Sequence, residues 1–492
     1  MLRSRAATGQ LVGPVVIIAL LVGAVMTTAG PRRDVDFWWH VLLGQALLAG
    51  RATAEAGDWT TLPGRPDWRS GQGWSEAGMA VLEQFAPGTS YIWLRAFTLA
   101  VALIILSWAT GVWTQRAPGI GAEILPRWPA WVAFLAGVWT VTGFTQERPQ
   151  QISYLLYPLA GALIAAVLDP TGIAGRNRVE SAAIVGAAAA VTLLWVQLHQ
   201  GWLLALGGVT LATILTLRPG RAPATALLLL GVVAMTAATN PWGLAAPHAA
   251  QQLAAASTDL VEWQPAALFS IPGAGAISLI VGFSAVWVRG PRRIPEILVV
   301  LFLLVTAATA ARGIAPAVLL AAPILARHAG PPRAPRTSVL AWCAAASIGA
   351  AVWAANSQSA ALSATAPDPQ ESVARLAAGA VCRAQGETVV IATAYNDSGA
   401  ALFGARGSPC AAHHQVKVAI DGRADRYGAD LIQRWLDVEH ARGDWLPTWR
   451  QATPNLAILR RDSPLMAPLT ALGWRVVDDT AVEFVVMAPD EA

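Results

Sequence analysis

The sequence predicts a mostly α fold, a polytopic transmembrane helix bundle of about 11 spans followed by a small C-terminal extracytoplasmic α/β domain. Three observations predict it. Of 492 residues, 55% are hydrophobic and 13% charged, against about 25% charged in an ordinary soluble protein. The charge is uneven, since residues 1–365 hold 36 of the 64 charged side chains and 366–492 hold the other 28. Finally, the arginines of the long apolar part fall in alternate connections, as the positive-inside bias requires. These properties exclude a soluble enzyme, a collagen-like chain and a disordered acidic protein.

The formal net charge of +4 carries no argument for nucleic acid. Its basic excess, 22 Arg against 14 acids, lies before residue 366 in short connections. The N-terminus, with Arg3, Arg5 and an apolar run from Leu11, reads as a retained anchor rather than a cleaved signal. Each span needs about 20 mostly apolar residues. Candidates fall at 11–30, 90–112, 129–145, 150–168, 181–198, 201–217, 223–239, 273–288, 295–310, 313–327 and 338–355. With the N-terminus cytoplasmic, inner connections hold 14 Arg against four acids, and outer segments hold eight Arg against ten acids. The bundle, 1–355, therefore includes one long outer loop, 31–88. A small, polar linker at 356–367 leads to the outer domain, 368–492.

In that domain, strand-like runs occur at 388–394, 416–420, 456–459, 474–477 and 481–487, with helical patterns over 369–384, 429–442 and 464–472. Cys343 lies in an apolar run, whereas Cys382 and Cys410 lie in the tail and could pair outside the cytosol.

The polar residues able to do chemistry concentrate in the outer segments. Asp34 and Asp36 open a stretch, 37–50, that reads as an amphipathic helix lying on the membrane surface. They suit a catalytic or metal-binding role, or simply the positive end of a helix dipole. His40 follows Asp36 by one helical turn and could orient it or share a ligand. Glu76 begins a second helical piece, about 74–85, as a site residue or as a helix-end charge. Arg148, beside Glu147 and Pro149, and Arg312, between two spans, could each hold a phosphate through the planar guanidinium; a lipid headgroup satisfies the same chemistry. His199, after Gln197, is a further polar candidate or a hydrogen-bonded structural residue. Asn240-Pro241-Trp242 and Glu262-Trp263 suit turns and an interfacial belt. In the tail, Asp421-Gly422-Arg423-Ala424-Asp425-Arg426-Tyr427-Gly428 is a dense charged loop after a strand, fit for an anionic or sugar ligand or for locking itself by salt bridges. No phosphate loop, dinucleotide fingerprint, nucleophile elbow or zinc spacing occurs.

Several of these patterns together resemble a largely uncharacterised bacterial family of polytopic membrane proteins. They are Asp34-x-Asp36-x-x-Trp39-His40, Leu43-Gly44-Gln45, Trp74-Ser75-Glu76, Arg148-Pro149-Gln150, Leu198-His199-x-Gly201, Asn240-Pro241-Trp242-Gly243 and the 421–428 motif. More distantly, the N-terminal part is similar to the GT-C glycosyltransferase superfamily. In that superfamily a first span precedes an outer loop with an acidic motif and two membrane-surface helices. The resemblance implies transfer of a sugar from a polyprenyl-phosphate carrier to an envelope acceptor at the outer face of the cytoplasmic membrane. Its acidic motif falls on Asp34 and Asp36, one of which would serve as base, with His40 alongside. Glu76, Arg148, His199 and Arg312 would bind the substrate or its lipid phosphate. No nucleotide site is needed, no particular cofactor is implied, and a divalent metal on Asp34 and Asp36 is compatible. The alternatives are a non-catalytic envelope assembly or interaction protein, and a transporter of solutes or lipid carriers. A transporter needs polar groups through the bilayer, and the mid-span positions here are Ala, Leu, Val and Gly. Oligomeric state is not encoded legibly.

Overall fold

The computed structural model describes residues 32, 34–51, 58–65, 68–110, 128–144, 146–168, 178–216, 231, 239, 264–266, 277, 279–280, 294–327 and 368–490. The described chain is mostly helical, with 15 α-helices and one small mixed sheet near the C-terminus. It divides into two compact units. One comprises Met1–Gly30, Ile92–Ala246 and Asp259–Ala361, the other Pro31–Tyr91, Pro247–Thr258 and Leu362–Ala492.

The first unit is helical. It contains α3 (Ser90–Ala109, whose first two residues belong to the second unit), α4 (Trp128–Gly143), α5 (Gln150–Leu168), α6 (Arg178–Leu198), α7 (Trp202–Thr216), α8 (Ile294–Thr309) and α9 (Ala311–Arg327). These seven coincide with seven of the expected spans. Those at 11–30, 223–239, 273–288 and 338–355 lie wholly or almost wholly outside the described residues, as do 240–242, 262–263, Cys343 and the 356–367 linker. Among the described residues, α3 and α5 are long and apolar enough to cross a membrane; four of the other helices of this unit are 15–17 residues long, and α6 carries a shorter apolar stretch, Ala182–Leu198. At 1.5 Å per residue, a 16-residue helix reaches about 24 Å, short of a hydrocarbon core of about 30 Å. Against the expected count of about 11 spans, the described residues contain two full-length candidates.

Packing in this unit centres on α9, which lies against α4, α5 and α8 and buries Ile314, Ala315 and the run Ala317–Ala322. Pro316 and Pro323 sit inside it and Pro158 inside α5. Pro breaks a helical hydrogen bond, and buried helices tolerate it when neighbours pack around the defect. Outward surfaces are apolar as well. On α3, Trp93, Phe97, Ile104 and Trp108 are all about half exposed or more and recur at steps of four and seven, one stripe of a helix.

The second unit joins the outer loop to the tail. The loop supplies α1 (Phe37–Leu48) and α2 (Gly73–Phe85). The tail supplies α10 (Pro369–Arg383), β1 (Thr388–Ala392), α11 (Ser398–Gly407), β2 (Gln415–Val418), α12 (Ala424–Tyr427), α13 (Ala429–Glu439), α14 (Leu446–Ala452), β3 (Leu456–Arg460), α15 (Met466–Ala471), β4 (Trp474–Asp478) and β5 (Phe484–Pro489). The sheet order is β2-β1-β3-β5-β4, parallel across β2, β1 and β3 and antiparallel across β3, β5 and β4. All five expected strands and all three expected helices are present. The short helices α11, α12 and α14 were not anticipated. Cys382 and Cys410 are disulfide-bonded, a linkage that persists in oxidising compartments and points to an extracytoplasmic location for the tail.

Two features of the loop differ from expectation. First, α1 is not a surface helix. Phe37, Trp38, Trp39, His40, Val41, Leu42, Leu43, Gly44 and Ala46 are all buried, and the helix packs on α2 and α11. A helix covered on every side belongs to a core. Second, the loop extends the tail's sheet. Thr60 bridges Val418 in parallel, and the N–H groups of Thr61 and Leu62 donate to the carbonyls of Val418 and Ala419 at 3.0 Å each. Leu62 enters the core of Trp435, Trp449 and Trp474.

Candidate functional site

The loop and tail motifs singled out in the sequence meet inside the second unit. Asp34 Oδ1 accepts the backbone N–H of Asp36 at 2.7 Å, an Asx-type turn that sets the chain up to enter α1. Asp36 occupies the N-cap position, and its side chain makes no capping hydrogen bond. That carboxylate faces the tail instead. A Cβ added to Gly422 would lie 2.7 Å from Asp36 Oδ1 and 3.0 Å from Trp39 Nε1, so glycine at 422 is what lets the two segments close up.

His40 and Glu76 form the link between α1 and α2. Glu76 Oε1 lies 3.1 Å from His40 Nδ1, and both side chains are buried. The approach depends on Gly44, where any side chain would run into the backbone carbonyl of Glu76. Burial pushes the Glu76 carboxyl up to about 8, against the pull of Ser70, Gln72 and the positive charge of Arg423. This raised value favours the protonated carboxyl near neutral pH. A protonated Glu76 donates to Nδ1, and the imidazole then carries its own proton on Nε2. The Trp39 and His40 rings lie 3.6 Å apart between centroids, tilted by 34°.

The tail loop contributes the strongest electrostatic feature. Arg423 Nε lies 2.9 Å from each carboxylate oxygen of Asp421, and its Nη2 also donates to Oδ2. The guanidinium sits between two indoles of the outer loop, 4.8 Å from Trp68 and 5.5 Å from Trp59, a cation–π arrangement. Burial raises the Asp425 carboxyl, with Trp68 and Arg423 pulling the other way. Burial and the surrounding carboxylates Asp36, Asp421 and Asp425 also raise the Tyr395 phenol. Three further contacts tie loop to tail. Arg32 pairs with Asp368 at 3.1 Å and lies 4.0 Å over Trp38; Trp38 lies against Phe403 at 4.0 Å; Arg65 N donates to the Arg426 carbonyl at 2.8 Å.

The remaining expected residues lie in the helical unit, around the first turn of α5. Arg312 donates to Gln150 Oε1 at 2.7 Å. His199 Nδ1 accepts the Gly201 N–H at 2.9 Å, so Ser153 Oγ, 2.8 Å away, donates to it as well; Ser153 in turn accepts from Trp195 Nε1 at 2.7 Å. Thr98 donates to Gln151 at 2.8 Å. Glu147 pairs with Arg95 at 3.0 Å, both fully buried.

The structure thus gathers Asp34, Asp36, His40 and Glu76 in one unit and Arg148, His199 and Arg312 in the other. Sequence reasoning named the 421–428 loop without including it among the site residues, and it missed Tyr395 entirely. Asp421 and Arg423 join the cluster through Trp59 and Trp68, more than 350 positions away, a pairing with no local signal. Among the described residues, no group of three or more His, Cys, Asp or Glu is placed to hold a metal ion.

No protein-family model matches the chain, and no curated protein matches it. Its function is argued from its own chemistry.

Proposed function

We propose that this chain is a multi-spanning protein of the bacterial cytoplasmic membrane, N-terminus inside and tail unit outside, that transfers a sugar from a polyprenyl-phosphate carrier to an envelope acceptor. The membrane placement is supported by the arginine asymmetry of the connections, the exposed apolar stripe of α3 and the tail disulfide. The transfer reading is carried by one observation: two separate sequence motifs, 34–40 with 74–76 and 421–428, converge on a cluster of carboxylates, imidazole, guanidinium and indoles. Burying so many polar groups is costly, and an anchor gains nothing from it.

Asp36 is the favoured base. It is half-buried, its side chain does not cap α1, and it would take the proton of an acceptor hydroxyl as that oxygen attacks the sugar's anomeric carbon. Asp34 holds the Asp36 backbone in place. The bond from the anomeric carbon to the phosphate oxygen breaks, and the phosphate leaves with its negative charge. Arg148 and Arg312, in the helical unit, are proposed to hold a lipid phosphate. Glu76 orients His40. In membranes carrying the full chain, Asp36→Asn is expected to lower glycan transfer by about 10²-fold or more. Unchanged transfer with both Asp34→Asn and Asp36→Asn in place overturns the assignment.

A second reading, a non-catalytic envelope interaction protein, is favoured by the inward pairing of Arg423 with Asp421 and of Arg32 with Asp368. On that reading the cluster is a clamp holding the loop to the tail, and the same substitutions lower stability while no transfer is detected in the unaltered protein.

A further inference from the structure

We propose that the tail unit binds a phosphate group at Arg406, where the guanidiniums of Arg51 and Arg423 and the indole of Trp59 converge. Binding there does not depend on the transfer reading. Separate parts of the chain build the site. Trp59, in the outer loop, is buried. Arg406, in the last turn of α11, sets its guanidinium carbon 4.7 Å from the centre of the Trp59 ring, and that of Arg423 lies 5.5 Å from the same ring. Arg51 follows the end of α1. There Gly50 takes a φ of +73° and the Arg51 N–H returns to the Ala46 carbonyl at 2.9 Å, the closing bond of a Schellman turn. The turn holds Arg51 close enough to Arg406 for the two charges to repel.

Two of the three charges have no counter-charge. Arg423 is neutralised by Asp421. Among the described residues, neither Arg406 nor Arg51 pairs with a carboxylate, and Asp58, next to Trp59 in the chain, pairs with neither. Arg406 Nη2 donates to the Val416 carbonyl at 3.5 Å, long for such a bond. Trp59 attracts the cation but supplies no acceptor oxygen. Burial, together with repulsion from Arg51 and Arg423, pushes Arg406 down to about 10, so it is still charged at neutral pH. The helix-end dipoles of α11 and α1 each favour one cation, yet they do not favour bringing the two together beside a third. An anion between Arg406 and Arg51 turns that repulsion into attraction. A phosphate monoester suits them, since it carries about −1.5 to −2 charges near neutral pH on three acceptor oxygens, and the guanidinium fork matches its geometry. Arg51 is exposed and Arg406 partly so, which opens the site to ligand. Arg423 is fully buried and adds field rather than a contact. A lipid headgroup and a soluble phosphate present the same chemistry.

The full chain, purified in a neutral detergent, is titrated with inorganic phosphate and with dihexanoyl phosphatidic acid at constant ionic strength. Binding is read from the phosphorus NMR line width and from the thermal midpoint. Saturable binding is expected, tighter for phosphatidic acid where the source is a lipid headgroup and no tighter where it is a soluble phosphate. Arg406→Gln should lower the affinity at least about tenfold and Arg51→Gln at least about threefold, because each removes a charge-assisted bond. Arg434→Gln, on the exposed part of α13, should leave it unchanged. Phosphate should raise the thermal midpoint of the unaltered chain and not that of Arg406→Gln. No saturable binding of either probe, or binding that Arg406→Gln and Arg51→Gln leave unchanged, overturns the proposal. So does an affinity that Arg434→Gln lowers as much as Arg51→Gln, which marks diffuse attraction to surface charge. A midpoint that falls equally in Arg406→Gln with and without phosphate marks Arg406 as a structural clamp on Trp59, and also overturns it. Arg51→Gln alters an exposed side chain and carries the test should Arg406→Gln fail to fold.

Discussion

Arg423 concentrates the energetics of the second unit in one side chain. Its charge is fully buried, held by the Asp421 fork and by two indoles from the outer loop. Removing one partner of a buried ion pair leaves the other uncompensated, at a cost of about 3–5 kcal/mol. Arg423→Met should therefore destabilise the unit by that amount, read as a loss of protease resistance or a fall in the thermal midpoint, and Arg423→Lys should recover only part because an ammonium cannot make the fork. A midpoint unchanged in Arg423→Met would show that the fork contributes nothing. Glu76 supports a second prediction. Its folded value, about 8, lies above the ordinary 4.5, so its contribution to stability is complete below about pH 4.5 and is lost as pH rises through 8. Glu76→Gln cannot ionise. The difference in thermal midpoint between Glu76→Gln and the unaltered chain should shift in favour of the variant from pH 5 to pH 9. Parallel profiles would remove the claim that Glu76 is protonated at neutral pH.

At the scale of elements, α1 and α2 are held at their spacing by Gly44, whose Cα faces the Glu76 carbonyl. Gly44→Val forces the helices apart, and overpacking of this kind costs about 1–3 kcal/mol. The larger consequence is for His40, which loses its 3.1 Å contact with Glu76. Gly44→Val should therefore also flatten the pH dependence that Glu76→Gln flattens, and combining the two should add little to that flattening. The elements themselves were legible where a local pattern decides them. Apolar runs located α3 to α9 within a few residues, and the short, nearly continuous apolar runs around 388–392 and 484–489 located strands. The role of α1 was not legible, because Gln45 and His40 among apolar neighbours suggest a membrane surface when the partners are unknown. The tail motif and Glu76 supply those partners from far along the chain. The strand-like addition of Thr60–Leu62 to β2 was invisible for the same reason: three residues in a polar loop carry no period, and only the exposed edge of a sheet built 350 residues later defines their conformation. The ion pair of Glu147 with Arg95 likewise depends on helix packing.

At the scale of the whole molecule, the unit that carries the acidic site is discontinuous, with Pro31–Tyr91 and Leu362–Ala492 brought together from the two sides of the helical segments. Linear reading makes 368–492 a separate domain, yet much of what completes that domain comes from the outer loop: cover for β2, the indoles around Arg423, Leu62 in the core, and Arg32 on Asp368. Residues 362–492 expressed alone would expose the β2 edge and strand the Arg423 guanidinium without its aromatic walls. The disulfide, which closes a loop of separation 28, contributes about 3–4 kcal/mol by restricting the unfolded chain, too little to offset both losses. Expressed in an oxidising compartment, the tail alone should exchange its backbone amides quickly at Val416–Ala419 and lose structure on reduction. A fusion of 31–91 to 362–492 through a flexible linker should protect those amides and survive reduction at room temperature. Equal protection in the two forms would mean that the loop merely rests on a finished domain, and the acidic site would then be a surface feature rather than a part of the fold.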